Sequence, residues 1–107
     1  MTASALAPLE KWASLAEIET RRRIHAVVGA YAYEIADNPI MSDRQWDALA
    51  QSIQPKVPTY HLLLDEFFVA FFSPMTGLWI HDHPELDRVK QNYLRFGDAM
   101  RRFYEAA

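Results

Sequence analysis

Cysteine is absent from this chain, and glycine is scarce. Without cysteine among its 107 residues, the protein has no disulfide, no cysteine-ligated zinc and no catalytic thiol, which is compatible with a reducing cytosol. The three glycines, Gly29, Gly77 and Gly97, are too few and too far apart to form a glycine-rich phosphate-binding loop. These absences remove several common routes to catalysis.

Long hydrophobic runs are missing as well. No stretch approaches 18 consecutive apolar residues, and the first ten residues lack the basic start of an export signal. We therefore expect a soluble cytoplasmic protein that makes no use of a membrane. The length of 107 residues predicts one domain, spanning 1–107, and 50% hydrophobic residues supply enough apolar surface for its core.

Basic residues are rare in the middle of the chain. Residues 31–87 carry nine acidic and two basic side chains, whereas residues 88–107 carry five basic and two acidic ones. The acidic middle favours a protein partner with a basic surface, because opposite charges steer association. A weaker alternative is a nucleic-acid binder, although such charges are more often the solvated side of a helix. That alternative would use Arg21, Arg22, Arg23, Arg101 and Arg102.

Capping signals and apolar spacing predict an all-α fold, a small bundle of about four helices. Ser14 with Glu17 forms a capping box that begins a first helix, expected over residues 15–37. Ser42 with Gln45 forms a second capping box, which begins a helix expected over residues 43–53. Between them Pro39 pushes the preceding residue out of the helical region, so residues 37–43 form a helix-turn-helix elbow.

The second half, residues 59–107, should hold a hydrophobic helix, a turn and a C-terminal helix. Residues 60–72 are apolar almost all round, which predicts a central helix or a surface completed by another chain, with a strand as the competing interpretation. Residues 73–77 are a turn cluster, residues 78–80 a short extended piece, and the last helix should begin at Asp82 and Pro84. Its 3-4 apolar rhythm favours packing inside the bundle over an intermolecular zipper.

The elbow carries the most informative motif of the chain. The residues from Tyr31 to Leu49 read Y-x-Y-x-x-x-D-x-P-x-x-S-D-x-x-W-D-x-L and place Tyr33, Asp43, Trp46 and Asp47 around one turn. This pattern resembles the small N-terminal helical domain of bacterial NAD-dependent DNA ligases, over roughly residues 20 to 53. The resemblance implies that these four side chains grip NMN or the NMN half of NAD, with the aromatic rings on the base and the carboxylates on hydroxyl groups.

The chain also departs from the ligase pattern. Glu34 occupies the position where the ligase domain usually has histidine, and its carboxylate would repel a nucleotide phosphate. Trp46 occupies the position of a tyrosine. None of the lysines, Lys11, Lys56 and Lys90, begins the K-x-D-G motif of the ligase adenylation core. Because covalent nucleotidyl transfer needs an activated amine, we expect this protein not to be an enzyme.

The histidines suggest a metal only weakly. His81, Asp82 and His83, with His61 and Asp65 elsewhere, are suitable ligand types, but two ligands two residues apart in a loop are a poor signal. Helix capping and surface hydrogen bonding are the more ordinary roles for these residues. We therefore predict no metal site.

Two main functional hypotheses remain open from the sequence. The first is a non-catalytic interaction protein, of the size of phage or mobile-element accessory and anti-defence factors, that docks on a larger macromolecule. Its interaction residues would be Trp79, Asp82 and Glu34, with equal weight given to Trp79 as interface anchor or as core. The second is an NMN- or NAD-binding module. Otherwise no cofactor is expected.

Overall fold

The computed structural model describes residues 13–107 and confirms the all-α fold. Among the described residues there are four α-helices and one short 3-10 helix, and no strand. The α-helices are α1 (Leu15–Glu34), α2 (Asp43–Ser52), α3 (Leu62–Phe71) and α4 (Leu86–Ala106), and the 3-10 helix is Leu78–Asp82. Helix α1 is the centre of the fold, and α2, α4 and the 3-10 helix pack against it.

Both predicted capping boxes are present. At the start of α1 the Glu17 amide donates to Ser14 Oγ at 3.1 Å, and the Ser14 amide donates back to Glu17 Oε1. Ser42 and Gln45 make the same reciprocal pair at the start of α2. These bonds satisfy amide groups that the first helical turn leaves without a partner, and so they set where each helix begins.

The elbow between α1 and α2 is a tight reversal held by its own backbone. Asp37 has φ 53°, a left-handed conformation that aspartate tolerates better than most side chains. The Ala36 amide donates to the Tyr31 carbonyl and the Asn38 amide to the Ala32 carbonyl at 2.8 Å, which closes the end of α1. The helix thus ends at Glu34, three residues earlier than the sequence predicts, because the closing turn uses residues 35–38.

Helix α4 holds the elbow in place. Ile40, 2% exposed, packs in a small cluster with Val28 and Ala32, and Tyr93 and Met100 of α4 lie against that cluster. Asn38 donates to the Tyr93 hydroxyl at 3.1 Å, and Arg101 donates to the carbonyls of Pro39 and Asn38. The last helix therefore packs inside the bundle, along α1.

Two local expectations in the second half are wrong. Residues 78–80 are not extended but belong to the 3-10 helix Leu78–Asp82, which follows the turn at Gly77. The last helix does not begin at Asp82 and Pro84, since α4 begins only at Leu86. The His83 amide donates to the Ile80 carbonyl and so closes the 3-10 helix before α4 begins.

Helix α3 is peripheral rather than central. Only Phe67 and Phe68 of this helix are buried, whereas Leu62 is 77% exposed, Val69 63% and Phe71 54%. The expectation of an enclosed helix is therefore wrong, because one face carries all of its packing. The other explanation for its apolar composition, a surface completed by another chain, stays a prediction.

A buried ionic network ties α3 to α1. The guanidinium of Arg23 donates to Glu19 at 2.7 Å, to Asp65 of α3 at 2.8 Å, and to the carbonyls of Gln54 and Val57. The network continues beyond the arginine, since Glu19 accepts the Gln54 amide and Asp65 accepts the amide and hydroxyl of Thr59. The guanidinium also lies 4.9 Å from the centre of the Phe68 ring. We call these residues the Arg23 network.

None of the described helices is long and apolar enough to cross a membrane. The expectation of an unexported chain rests on the first ten residues, which lie outside the described residues, as does Lys11.

We predict that Arg23→Ala costs about 3–5 kcal/mol of unfolding free energy, because it leaves two carboxylates buried without their cation. The matched control is Arg21→Ala in the same arginine run and helix, expected to change stability by about 0.5 kcal/mol or less. Urea unfolding followed by circular dichroism measures both. Equal midpoints for the two variants would contradict a structural role for the network.

A second prediction concerns acid stability. Burial would raise the pKa of the Asp65 carboxyl, but the two hydrogen bonds from Thr59 and the nearby Arg23 outweigh it, so the pKa lies below its usual value of 3.8. Asp65 therefore stabilises the fold above that value, and its contribution is lost as the pH falls through the lowered pKa. Between about pH 5 and pH 2, the unfolding free energy of the wild type should fall more steeply than that of Asp65→Asn.

The control for this measurement is Glu66→Gln, a change at the exposed neighbour of Asp65. It should follow the wild-type curve. Parallel curves for wild type and Asp65→Asn would show that the carboxylate adds no pH-dependent stability.

Candidate functional site

An open cleft of about 270 Å³ lies at the elbow, and we call it the elbow cleft. Its walls are the C-terminal half of α1, the elbow itself, the first turns of α2 and the loop that precedes the 3-10 helix. The lining residues used below are Gly29, Tyr33, Glu34, Asp43, Trp46, Asp47, Met75, Thr76 and Gly77.

All four residues that the sequence assigns to nucleotide binding line this one cleft. Tyr33 projects from the last turns of α1 with 55% of its surface exposed. Asp43 is the first residue of α2, and Asp47 follows one turn later, both exposed. Trp46 is half-buried between them and α1. The elbow thus brings two aromatic rings and two carboxylates to one open space, and their role in binding stays a prediction.

The indole of Trp46 is a fixed wall of the cleft. Its Nε1 donates to the Ala26 carbonyl at 3.1 Å, and its ring lies against Gly29, where an added Cβ would be 2.9 Å from Cδ1. A second indole, Trp79, lies behind it with ring centres 6.5 Å apart and planes at 30°. Because only glycine leaves room for this approach, Gly29 is a structural part of the site.

Sequence reasoning missed the third wall, formed by Met75, Thr76 and Gly77. Gly77 lies close to α1, since a Cβ added there would be 3.2 Å from the Cβ of Ala30. The loop is held by its own side chains, because the Leu78 amide donates to Thr76 Oγ1 at 3.2 Å. The turn cluster at residues 73–77 was predicted, but no local signal in the sequence places it against α1.

The cleft is strongly acidic. Glu34, Asp43 and Asp47 line it, and none of its described lining residues is lysine, arginine or histidine. The first turn of α2 supplies the positive end of a helix dipole, but Ser42 and Gln45 already cap that turn. An anionic group would therefore meet three carboxylates with no cation to offset them, whereas a cationic ring would be attracted.

Trp79, one of the proposed interaction residues, is part of the core. It is 5% exposed and packs among Phe67, Phe68 and Phe72, whose ring centres lie 6.1, 5.7 and 5.4 Å away. Its indole nitrogen donates to the Ser73 carbonyl at 3.1 Å. Of the two roles left open for Trp79, interface anchor and core, its burial supports the core, because the 3-10 helix turns the ring inward against α3.

The other proposed interaction residues are accessible but lie in different settings. Asp82 is exposed at the end of the 3-10 helix, and Glu34 lines the elbow cleft. Their use in an interface stays a prediction, and Trp79 is not available as part of that interface because it is buried.

The five arginines assigned to a nucleic-acid face differ in their exposure. Arg23 is buried in the Arg23 network, 5% exposed, so this assignment is wrong. Arg22 donates to the Ser52 carbonyl at 3.3 Å, and Arg101 pairs with Asp98 at 2.7 Å and reaches the elbow carbonyls. Arg21 remains half-buried and Arg102 exposed. Several of these cations hold the fold together instead of facing solvent.

The histidines near the 3-10 helix have structural contacts. His83 is buried beside Phe67, with ring centres 5.1 Å apart, and its Nδ1 accepts the Glu85 amide at 3.0 Å, just before α4 begins. Burial lowers the pKa of His83, although the nearby Glu85 acts in the opposite direction. Over residues 13–107 no three His, Cys, Asp or Glu side chains are grouped so as to hold a metal ion.

Comparison with protein-family models, with curated proteins and with solved structures finds no match for this chain. The resemblance to the ligase domain therefore depends on the elbow residues alone.

We predict that Trp79→Ala costs about 3–5 kcal/mol of unfolding free energy, because it empties the space between α3 and the elbow cleft. Leu78→Ala, at a side chain that is 58% exposed in the same 3-10 helix, is the control and should cost well under half of that. Chemical unfolding of both variants gives the comparison. If Trp79→Ala were as stable as the wild type, the assignment of Trp79 to the core would be contradicted.

Proposed function

We propose that this protein is a non-catalytic binding module whose elbow cleft holds a nicotinamide ring and its ribose. The observation that carries the proposal is the convergence of Tyr33, Asp43, Trp46 and Asp47 on one cleft. The resemblance to the ligase domain assigns these same positions to the NMN half of NAD. Two independent lines, a sequence pattern and a cavity, thus point to the same residues.

The chemistry of the walls suits a pyridinium nucleoside. The nicotinamide ring is cationic when it is bonded to ribose, and aromatic faces such as those of Tyr33 and Trp46 attract cationic rings. Ribose hydroxyls are donors, and the carboxylates of Asp43 and Asp47 are acceptors at the mouth of the cleft. A volume of about 270 Å³ is at the lower limit of ligand pockets and suits half of a dinucleotide better than the whole.

The charge of the cleft selects against a phosphate. Glu34, at the position where the ligase pattern has histidine, adds a third carboxylate beside Asp43 and Asp47. A 5′-phosphate would be repelled by these groups, by roughly 1 kcal/mol for each pair at contact distance in water. We therefore propose nicotinamide riboside as the preferred form of the ligand, followed by NMN and then NAD.

Isothermal titration and thermal shift with nicotinamide riboside at about 5 mM test this proposal, because a ligand of the native state raises the melting temperature by mass action. Binding should weaken about tenfold in Asp47→Asn and in Tyr33→Ala, since each removes a wall contact. Tyr60→Ala, a change at a tyrosine that is 83% exposed and outside the cleft, is the matched control. NMN should bind about fivefold more weakly than the riboside, and Glu34→Gln should narrow that gap.

Each result has a defined consequence. The absence of any response to riboside, NMN and NAD would remove the nicotinamide function. A response unchanged in Asp47→Asn and Tyr33→Ala would move the site elsewhere. Tighter binding of NMN than of riboside would show that the cleft accepts phosphate despite its three carboxylates.

A docking function on a protein partner is the second candidate. Apolar side chains exposed on two helices favour it, because a small soluble domain seldom leaves so many uncovered. These side chains are Leu62, Leu63, Val69 and Phe71 of α3, with Leu94, Phe96 and Phe103 of α4. Trp79 does not serve as the anchor of such an interface, because its side chain is buried in the core.

A further inference from the structure

A groove runs between the first half of α1 and the last half of α4, on a different part of α1 from the elbow cleft. We call it the α1–α4 groove, and its volume is about 430 Å³. Helix α1 contributes Ile18, Arg21, Arg22 and His25, and helix α4 contributes Phe96, Ala99, Met100, Phe103 and Tyr104. On each helix the positions follow the i, i+3, i+4, i+7 spacing of a single face, so two parallel walls face each other.

Two polar side chains of the groove use their hydrogen-bonding groups on each other. His25 Nδ1 and the Tyr104 hydroxyl are both part-buried and lie 2.7 Å apart. Burial raises the pKa of Tyr104 to about 12. Burial, with a smaller effect of Arg21, lowers the pKa of His25, which favours the neutral imidazole in this hydrogen bond. Phe103 covers both rings, with its centre 6.1 Å from His25 and 5.0 Å from Tyr104.

The rim of the groove is basic. Arg21 and Arg22 lie along the α1 edge, and the guanidinium of Arg95 lies 5.2 Å from the centre of the Phe96 ring on the α4 edge. None of the described lining residues is acidic. Acids do lie close to the lining residues in sequence. Glu17 accepts the Ser14 amide and also interacts with Arg21, and Asp98 is paired with Arg101, whereas Glu105 is exposed next to Tyr104.

We propose that the α1–α4 groove binds an acidic amphipathic helix of a partner protein. Phe96 and Phe103 are each only partly covered, at 44% and 43% exposure, and bulky apolar side chains of a helix would complete their burial. Carboxylates flanking that apolar stripe would then meet Arg21 on one edge and Arg95 on the other. The walls extend over residues 18–25 of α1 and 96–104 of α4, or about 10 to 12 Å, which matches about two turns of a helix.

This occupant fits the groove better than nucleic acid does. A nucleic-acid site needs a track of cations along a backbone and polar groups that read or cradle it. In the groove His25 and Tyr104 are bonded to each other, and Arg22 already donates to the Ser52 carbonyl. An apolar trough with a cation on each edge is instead complementary to a helix with an apolar stripe between carboxylates.

Fluorescence anisotropy tests the proposal with designed peptides. The probe is a labelled helical peptide of about 18 residues, long enough to form helix, with leucine at i, i+3, i+4 and i+7 and glutamate on the flanks. Its twin has lysine in place of every glutamate. We expect the glutamate peptide to bind, at least about tenfold more tightly than the lysine peptide, with an affinity that falls between about 0.15 M and 0.5 M salt.

Variants of the full chain locate the binding. Arg21→Glu with Arg95→Glu reverses the rim, and Phe103→Ala removes part of the apolar wall; each should weaken the glutamate peptide about tenfold or more. The matched controls are Lys90→Glu on α4 and Leu78→Ala in the 3-10 helix, both at exposed positions outside the groove. Circular dichroism checks that each variant is folded. If Phe103→Ala does not fold, the charge-reversed variant, Arg21→Glu with Arg95→Glu, still decides the test.

Four outcomes would overturn the proposal. They are no binding of the glutamate peptide, equal binding of the lysine peptide, equal loss in the control variants, and displacement of the peptide by single-stranded oligodeoxythymidine that itself binds more tightly. Because the elbow cleft shares none of these lining residues, failure here leaves the nicotinamide proposal untouched, and the reverse also holds.

Discussion

The guanidinium of Arg23 is the group on which the arrangement of this small fold depends. It is 5% exposed, and its four hydrogen bonds reach Glu19 of α1, Asp65 of α3 and two carbonyls of the segment between α2 and α3. That segment has no regular structure, so its buried polar groups need side-chain partners. A buried ion pair adds little net stability compared with apolar packing, but breaking it is costly. The network thus fixes where α3 lies more than how stable the protein is.

From that position a chain of ring contacts leads to the elbow cleft. Phe67 and Phe68 of α3 pack on Trp79, Trp79 stacks behind Trp46, and Trp46 is the wall of the cleft. Gly29 makes the last contact feasible, because any side chain there would collide with the indole. A ligand ring would therefore meet a wall supported from behind by the core, which reduces the ordering cost of binding.

The parts of the fold that were predictable from the sequence are those set by local rules. Ser14, Ser42 and Pro39 act on neighbouring residues, so the two capping boxes and the elbow were readable, and with them the grouping of Tyr33, Asp43, Trp46 and Asp47. The burial of Arg23 was not readable, because an arginine in a run of three looks solvated and most of its partners, Gln54, Val57 and Asp65, lie far along the chain. The role of Trp79 stayed open between core and anchor, because its burial depends on where α3 packs. The exposed face of α3 was unreadable for the same reason, since composition alone does not tell an enclosed helix from an uncovered one.

Helix α1 separates two surfaces of opposite charge. Its first half carries the basic rim of the α1–α4 groove, and its last turns carry the acidic elbow cleft. Arg21 and Tyr33 are twelve residues apart, or about 18 Å along the helix. This exceeds the screening length of about 8 Å at physiological salt, so the charge at one site has little effect on a ligand at the other. The elbow cleft would thus bind a cation, and the α1–α4 groove an acidic helix, independently of each other. Arg101 of α4 is one route by which they could be coupled, because it donates to the carbonyls of Asn38 and Pro39 and so helps to hold the elbow.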